Sequence, residues 1–284
     1  MKICISTEST ADLSAKLIKE NDISIIPFSV TLGDETGRDG IEITPTRIFE
    51  FVEETGVLPK TSAVNEYSYT VYFEELLTKY DAVVHLSLSS QLSSSYNNAC
   101  SAAKNFNNVY VIDSRSLSTG IGLQVLFAAK LARENKEPKD IVKLVLKRQP
   151  YVQASFVVNT LNYLHKGGRC SGLTKVFGTL LRIKPQIIVN SEGKMVPGKK
   201  YIGRSTKCVI SYCQDTLEQF NNIDKELVFI THSHAVPEMI DCAREALTKL
   251  NITNIEETVA GATITSHCGP KTLGILYYND GGKY

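Results

Sequence analysis

Residues 82–103, AVVHLSLSSQLSSSYNNACSAA, constrain the fold more than any other stretch. The apolar run from Ala82 to Leu88 reads as a buried strand, and it runs into a cluster of serines and then a helical pattern. Leu92, Tyr96, Ala99, Ala103 and Phe106 recur at the spacing of one helix face. A strand feeding a helix through small hydroxyl residues makes an anion site, because first-turn N–H groups are unpaired and the helix dipole presents its positive end. Ser90 reads as the N-cap, which places Ser93 on the first turn. Capping accounts for any one of these residues. Six serines between 87 and 95 are more than capping needs.

The same rhythm extends along the first half. Strands at 2–6, 23–30, 82–88 and 109–112 alternate with helices at 11–20, 45–54, 66–79 and 116–135. The region 33–44 reads as a loop. This alternation predicts a parallel sheet, doubly wound and covered on both faces. Pro138 opens a further helix that ends before Pro150, and the domain boundary is placed there: 1–150 and 151–284. The second half mixes a strand at 154–158, a sharp break at 165–169 and a helix at 171–182. A hairpin turning at Glu192-Gly193 follows, then helices at 204–221 and 236–249 and strands near 226–231, 254–259 and 273–278. That order predicts a mixed sheet with helices on one side. The fold class is α/β with two α/β domains.

Charge is segregated although the net value is only +1. Between Lys143 and Lys207 thirteen lysines and arginines face a single acid, Glu192, so the remainder carries an excess of acid. Such a segment suits an anionic partner, unless acidic neighbours in the fold neutralise it. The seven cysteines are odd in number and lack CxxC spacing. Reduced thiols in a cytoplasmic protein fit that pattern, as does a start without a signal-peptide pattern. No apolar run approaches the roughly 20 residues that span a bilayer.

Recognised catalytic frames are missing. No P-loop occurs, and Gly120-Ile121-Gly122 lies inside an apolar helix pattern, where packing explains it better than dinucleotide binding. No GxSxG elbow presents a serine. His232 and His234 flank Ser233 after a strand without a ligand-spaced carboxylate or cysteine, so a polar loop is favoured over a metal site. What remains are hydroxyls at strand ends: Thr7, Ser9, Thr61, Ser62, Ser89–Ser95, Ser114 and Ser116. In a doubly wound domain these loops converge at the carboxyl edge of the sheet, where ligands bind. Neutral donors without a base or metal suit holding a carboxylate or phosphate. His267, in the glycine- and hydroxyl-flanked loop at 263–270, is either a further donor to that anion or a structural histidine.

Five landmarks, in this order and spacing, carry a resemblance: Lys60-Thr61-Ser62, the Leu88–Tyr96 serine turn, Val111-Ile112-Asp113-Ser114, Lys166-Gly167-Gly168-Arg169 and His267-Cys268-Gly269-Pro270. Over roughly residues 3–279 the chain resembles the DegV family, fatty-acid-binding proteins that include the binding subunits of bacterial fatty acid kinase. The resemblance implies an acyl chain in a tunnel between two α/β domains, with its carboxylate held by Thr61, Ser93 and His267, and Ser62 as a second-choice donor. It implies a carrier rather than an enzyme, with a long-chain fatty acid such as palmitate as ligand and no cofactor. A separate kinase subunit would supply the ATP machinery that this chain lacks. Arg169, Arg204 and Lys207 are the candidate docking residues. The chain departs from the family pattern at Glu8, usually Asp, at Ser94 and Ser95, usually Gly-Thr, at Ala63-Val64-Asn65, and at Gly203-Arg204. The alternative is a phosphotransferase or hydrolase acting on a small anionic metabolite at the same cleft, by fold analogy with dihydroxyacetone kinases.

Overall fold

A computed structural model describes residues 1–169 and 183–284. The predicted helix at 171–182 lies outside the described residues. In chain order the first part contains β1 (Ile3–Glu8), α1 (Ala15–Glu20), β2 (Ile23–Ile26), β3 (Ser29–Leu32), β4 (Glu35–Arg38), α2 (Pro45–Thr55) and β5 (Lys60–Ser62). It continues with α3 (Glu66–Leu77), β6 (Ala82–Ser87), α4 (Ser95–Ala103), β7 (Val109–Asp113), α5 (Thr119–Arg133) and α6 (Pro138–Arg148). The second part contains β8 (Val152–Val157), α7 (Asn162–Lys166), β9 (Ile183–Val189), β10 (Met195–Ile202), α8 (Ser205–Gln219) and β11 (Val228–Ser233). It closes with α9 (Pro237–Thr248), β12 (Ile255–Val259), α10 (Ala262–Cys268) and β13 (Thr272–Tyr278).

The fold is α/β, with a four-stranded parallel sheet ordered β2-β1-β6-β7 and a six-stranded mixed sheet ordered β10-β9-β8-β13-β11-β12. Every residue of β6 is buried, His85 and Ser87 included, as expected of a central parallel strand. In the mixed sheet only the β11–β12 pair is parallel. Helices α8 and α9 cover one face of that sheet, with Tyr212, Cys213, Met239 and Ala243 packed on Val228, Ile230, Ile275 and Tyr277.

The other face meets α5. Eleven of its fifteen residues are buried, and it packs against β1 and β6 on one side and β8 and β13 on the other. This placement explains the two glycines. A Cβ at Gly120 would stand 2.2 Å from Ser116 Oγ and 3.2 Å from Ala154 Cβ, and one at Gly122 would stand 2.8 Å from Leu13 Cδ2. They are close-packing glycines, as the helix reading predicts.

Several expectations need correction. The strand at 23–30 is two strands: the chain pairs with β1 only up to Ile26, then leaves at Pro27, which has no N–H for a ladder, and enters a different sheet. That third sheet, β4-β3-β5, is antiparallel and occupies part of the expected 33–44 loop. The helix at 11–20 is a 3-10 turn over Ser9–Ala11 followed by α1. The helix after β6 starts at Ser95, with Ser94 in the N-cap position, so Ser90 is not the cap and Ser93 precedes the helix. The delay has a physical cause. Leu92 and Ser93 N–H turn back onto Ser89 O, Ser90 N–H donates to Asp113 Oδ1, and Ser89 N–H donates to Ser116 O. These bonds satisfy the backbone outside a helix. Finally, His267 lies on α10 rather than in a loop.

The candidate site and its relatives

The serine turn is mostly architecture. Ser87 Oγ donates to Glu8, Ser95 Oγ bonds Tyr69 Oη, and Ser89 Oγ donates to Gly193 O at 2.8 Å. That last bond docks the tip of the β9–β10 hairpin, where Gly193 has φ +82 and leaves no room for a side chain beside Ser89 and Arg115. Ser93 Oγ accepts from Ser95 N–H at 3.1 Å and lines a cavity.

Glu8 anchors this turn from below. Its fully buried carboxylate accepts from Tyr69 Oη and Ser87 Oγ, each at 2.5 Å, from Leu88 N–H at 2.6 Å and from Thr10 Oγ1 at 3.3 Å. His85 Nε2 stands 3.7 Å away. Burial alone would raise the Glu8 pKa. The nearby His85 and the hydroxyl donors outweigh it and hold the carboxyl below the usual glutamate range.

The cavity offers about 90 Å3 to the centres of water-sized molecules. Its walls come from the mixed sheet, from β5 of the small sheet, from the loops after β6 and before α5, and from α7 and α10, and include Phe28, Leu88, Leu92, Leu117, Phe156 and Leu276. Thr61, Ser93 and His267 all line it. Thr61 Oγ1 and His267 Nε2 share a hydrogen bond of 2.7 Å across 206 positions of sequence. Strand alternation separates Ser62 from Thr61: Ser62 is exposed and does not line the cavity. Ser118, at the start of α5, also lines it, in a strained backbone conformation of φ 52 and ψ −142.

The imidazole of His267 is enclosed. Its Nδ1 is buried without a hydrogen-bond partner and faces Gly167, where a Cβ would approach Nδ1 to 2.4 Å. Burial, with the positive charge of Arg169 as a smaller cause, lowers its pKa to about 4. The ring is therefore neutral at neutral pH. In an NMR titration of ligand-free protein, the His267 midpoint is expected at about 4. The folded value lies below the ordinary one, so this group's contribution to stability is lost as pH falls from the ordinary histidine range toward that midpoint. A bound carboxylate is expected to raise the midpoint, because an adjacent anion favours the charged ring.

Of the three candidate docking residues, Arg169 is exposed at the cavity and donates from Nη1 to Gly167 O at 2.6 Å, while Arg204 and Lys207 are exposed around the start of α8. The basic segment is partly neutralised. Arg148 is buried between Asp224 and Asp280, and Lys199 pairs with Asp215 and Lys194 with Glu192. His232, next to last in β11, has Nε2 at 3.5 Å from Glu257. Among the described residues no cluster of three or more His, Cys, Asp or Glu is placed to hold a metal, and no helix is long and apolar enough to cross a membrane.

Sequence reasoning gave no role to Asp12, Asp39 or Ser118. Glu8 stood out only as a departure from the family pattern, and Gly167 only as half of the Gly-Gly break after α7.

A family model described as uncharacterised protein, DegV family, matches residues 2–280. The chain belongs to the DegV family. Protein DegV of Bacillus subtilis is 31% identical over 284 residues, covering 98% of this chain and 99% of that protein. Among solved structures, one described as showing fatty acid binding of a DegV family protein from Thermus thermophilus has a TM-score of 0.90 at 28% identity, covering 98% of this chain and 99% of that one. Another, described as DegV, a fatty acid binding protein from Bacillus subtilis, has a TM-score of 0.87 at 28% identity with the same coverage. The two α/β halves are those of DegV structures.

Proposed function

We propose that this DegV family chain is a cytoplasmic, non-enzymatic carrier. It binds one long-chain fatty acid between two lobes, residues 1–150 and 151–284, and presents the carboxylate to a separate kinase subunit for acyl-phosphate formation. One observation carries the reading: Thr61, Ser93 and His267, from three distant parts of the chain, line one apolar cavity, and two of them are already hydrogen-bonded together. The solved relatives described as fatty acid binding support the ligand class.

The chemistry fits holding rather than reacting. With its proton on Nε2, the neutral imidazole donates to Thr61 Oγ1 and leaves the Thr61 hydroxyl proton for the carboxylate. Ser93 supplies a second hydroxyl. Bonds to a charged acceptor are the stronger kind, and they offset the cost of taking a carboxylate out of water. The tail supplies affinity, at about 0.8 kcal/mol per buried CH2, or about 10 kcal/mol for sixteen carbons before ordering costs. Arg169, Arg204 and Lys207 are the proposed docking residues for the kinase.

Native mass spectrometry of protein from bacterial expression is expected to show one bound fatty acid. Homogeneous ligand-free protein that also fails to take up palmitate or oleate would sink the reading. Thr61→Ala, Ser93→Ala and His267→Ala are each expected to weaken retention about tenfold, the worth of one hydrogen bond to a charged group. Unchanged retention in all three refutes the head-group assignment.

A further inference from the structure

The helix that carries His267 is short and has no capping side chain of its own. Gly261 occupies its N-cap position, and the helix runs only seven residues. Such a helix does not persist alone, and its first-turn N–H groups need acceptors. Two carboxylates from the first forty residues supply them. Gly261 N–H donates to Asp12 Oδ1 at 2.8 Å, Ala262 N–H to Asp39 Oδ1 at 2.7 Å, and Thr263 N–H to Asp39 Oδ2 at 3.2 Å.

Both aspartates are buried, and both are held by hydroxyls: Ser118 Oγ donates to Asp12, and Ser9 Oγ donates to Asp39 Oδ2 at 2.9 Å. The fit is close. A Cβ at Gly261 would stand 3.1 Å from Asp12 Oδ1 and 3.1 Å from Asp39 Oδ1. At the far end of the same helix His267 meets Thr61. The helix is therefore pinned at both ends to residues of the first sixty-one. Neither aspartate lines the cavity.

We propose that Asp39, with Asp12 beside it, is a positioning residue for the ligand carboxylate: acting through α10, it sets where the His267 imidazole stands against Thr61. This rests on the fatty-acid reading above. Asp39 touches no ligand. Its two oxygens fix the first turn of a helix whose last turn carries the ring, and over so short an element a displaced start displaces the end.

A double-mutant cycle tests this on delipidated full-length protein, with hexadecanoic acid and its uncharged analogue hexadecanol as probes. Asp39→Asn replaces one accepting oxygen by an amide that faces N–H donors. It is expected to weaken binding of the acid about tenfold, on the scale of a hydrogen bond to a charged group, and that of the alcohol by less than about twofold. In the His267→Ala background the same change is expected to cost the acid nothing further, because the ring it positions is gone. Losses that multiply across the cycle, or equal losses for acid and alcohol, overturn the inference. Ser9→Ala, which removes the hydroxyl supporting Asp39 and leaves both caps in place, is the second variant should Asp39→Asn fail to fold. It is expected to give the same acid-only loss at about threefold, again cancelled by His267→Ala. A wild-type protein that binds neither probe refutes the carrier reading instead.

Discussion

Glu8→Ala is expected to destabilise the fold by about 4 kcal/mol. Two hydroxyls at 2.5 Å and the Leu88 N–H at 2.6 Å point at this carboxylate in a fully buried site. Truncation strands all three donors and leaves a void, and each buried donor without a partner costs about 1–3 kcal/mol. Local rearrangement recovers part of the sum. Urea unfolding at neutral pH measures the loss, and a change under about 1 kcal/mol would show that the network carries little stability. The pH dependence has a definite sign. The folded-state pKa of Glu8 is depressed, so its stabilising contribution is present above the ordinary glutamate value and is lost as pH falls through the folded value. The alanine variant is expected to lack that part of the acid limb. Because Leu88 N–H begins the serine turn, the variant should also loosen Ser93.

Gly167→Ala is expected to impair ligand retention more than tenfold while costing little in backbone conformation. Gly167 has φ −74 and ψ −3, helical values that any L-residue adopts. Only space forbids a side chain. The new methyl would lie 2.4 Å from His267 Nδ1, 3.0 Å from its Cε1 and 3.0 Å from Tyr163 O. The ring or the 163–169 segment has to move, and overpacking of this kind costs about 1–3 kcal/mol. Moving the ring breaks the 2.7 Å bond to Thr61. Retention of palmitate by mass spectrometry, alongside a melting curve, separates the two effects. Full retention with an unshifted melt would mean that the pocket around the imidazole is softer than its contacts imply.

What could be read from the amino-acid order was whatever repeats locally. The run Ala82–Ser87 announces a central strand because all six residues are buried, and Glu192-Gly193 announces a hairpin because a tight turn needs φ above zero there. The small antiparallel sheet left no such mark. Its strands span three or four residues, and Glu35–Arg38 buries none of them, so no alternation reaches the sequence. Thr61, Ser93 and His267 drew notice as hydroxyls and an imidazole near strand ends or glycines. Their common cavity depends on contacts spanning up to 206 positions. Asp12 and Asp39 were invisible for the same reason: a carboxylate that caps a helix more than 220 residues away resembles any turn aspartate. The helix start after β6 was misplaced because Asp113 and Ser116, both downstream, take the hydrogen bonds a cap would otherwise make.

The central helix α5 has a consequence for how the chain tolerates change. It is encoded in the first half yet is a shared wall, with Ile121, Val125 and Ala128 in the same apolar cluster as Ile5 and Val84 from one sheet and Ala154, Phe229 and Leu276 from the other. The second half has an interior of its own between its sheet and α8 and α9, but its other face is completed by α5. A residue altered on this helix is judged twice, once by each sheet, and a change that suits one neighbour must also suit the other. Rim positions whose side chains are exposed, such as Arg169, carry no such double constraint. Sequence drift should therefore gather at the rim and spare the helix, leaving the ligand's surroundings freer to diversify than the wall that joins the two sides.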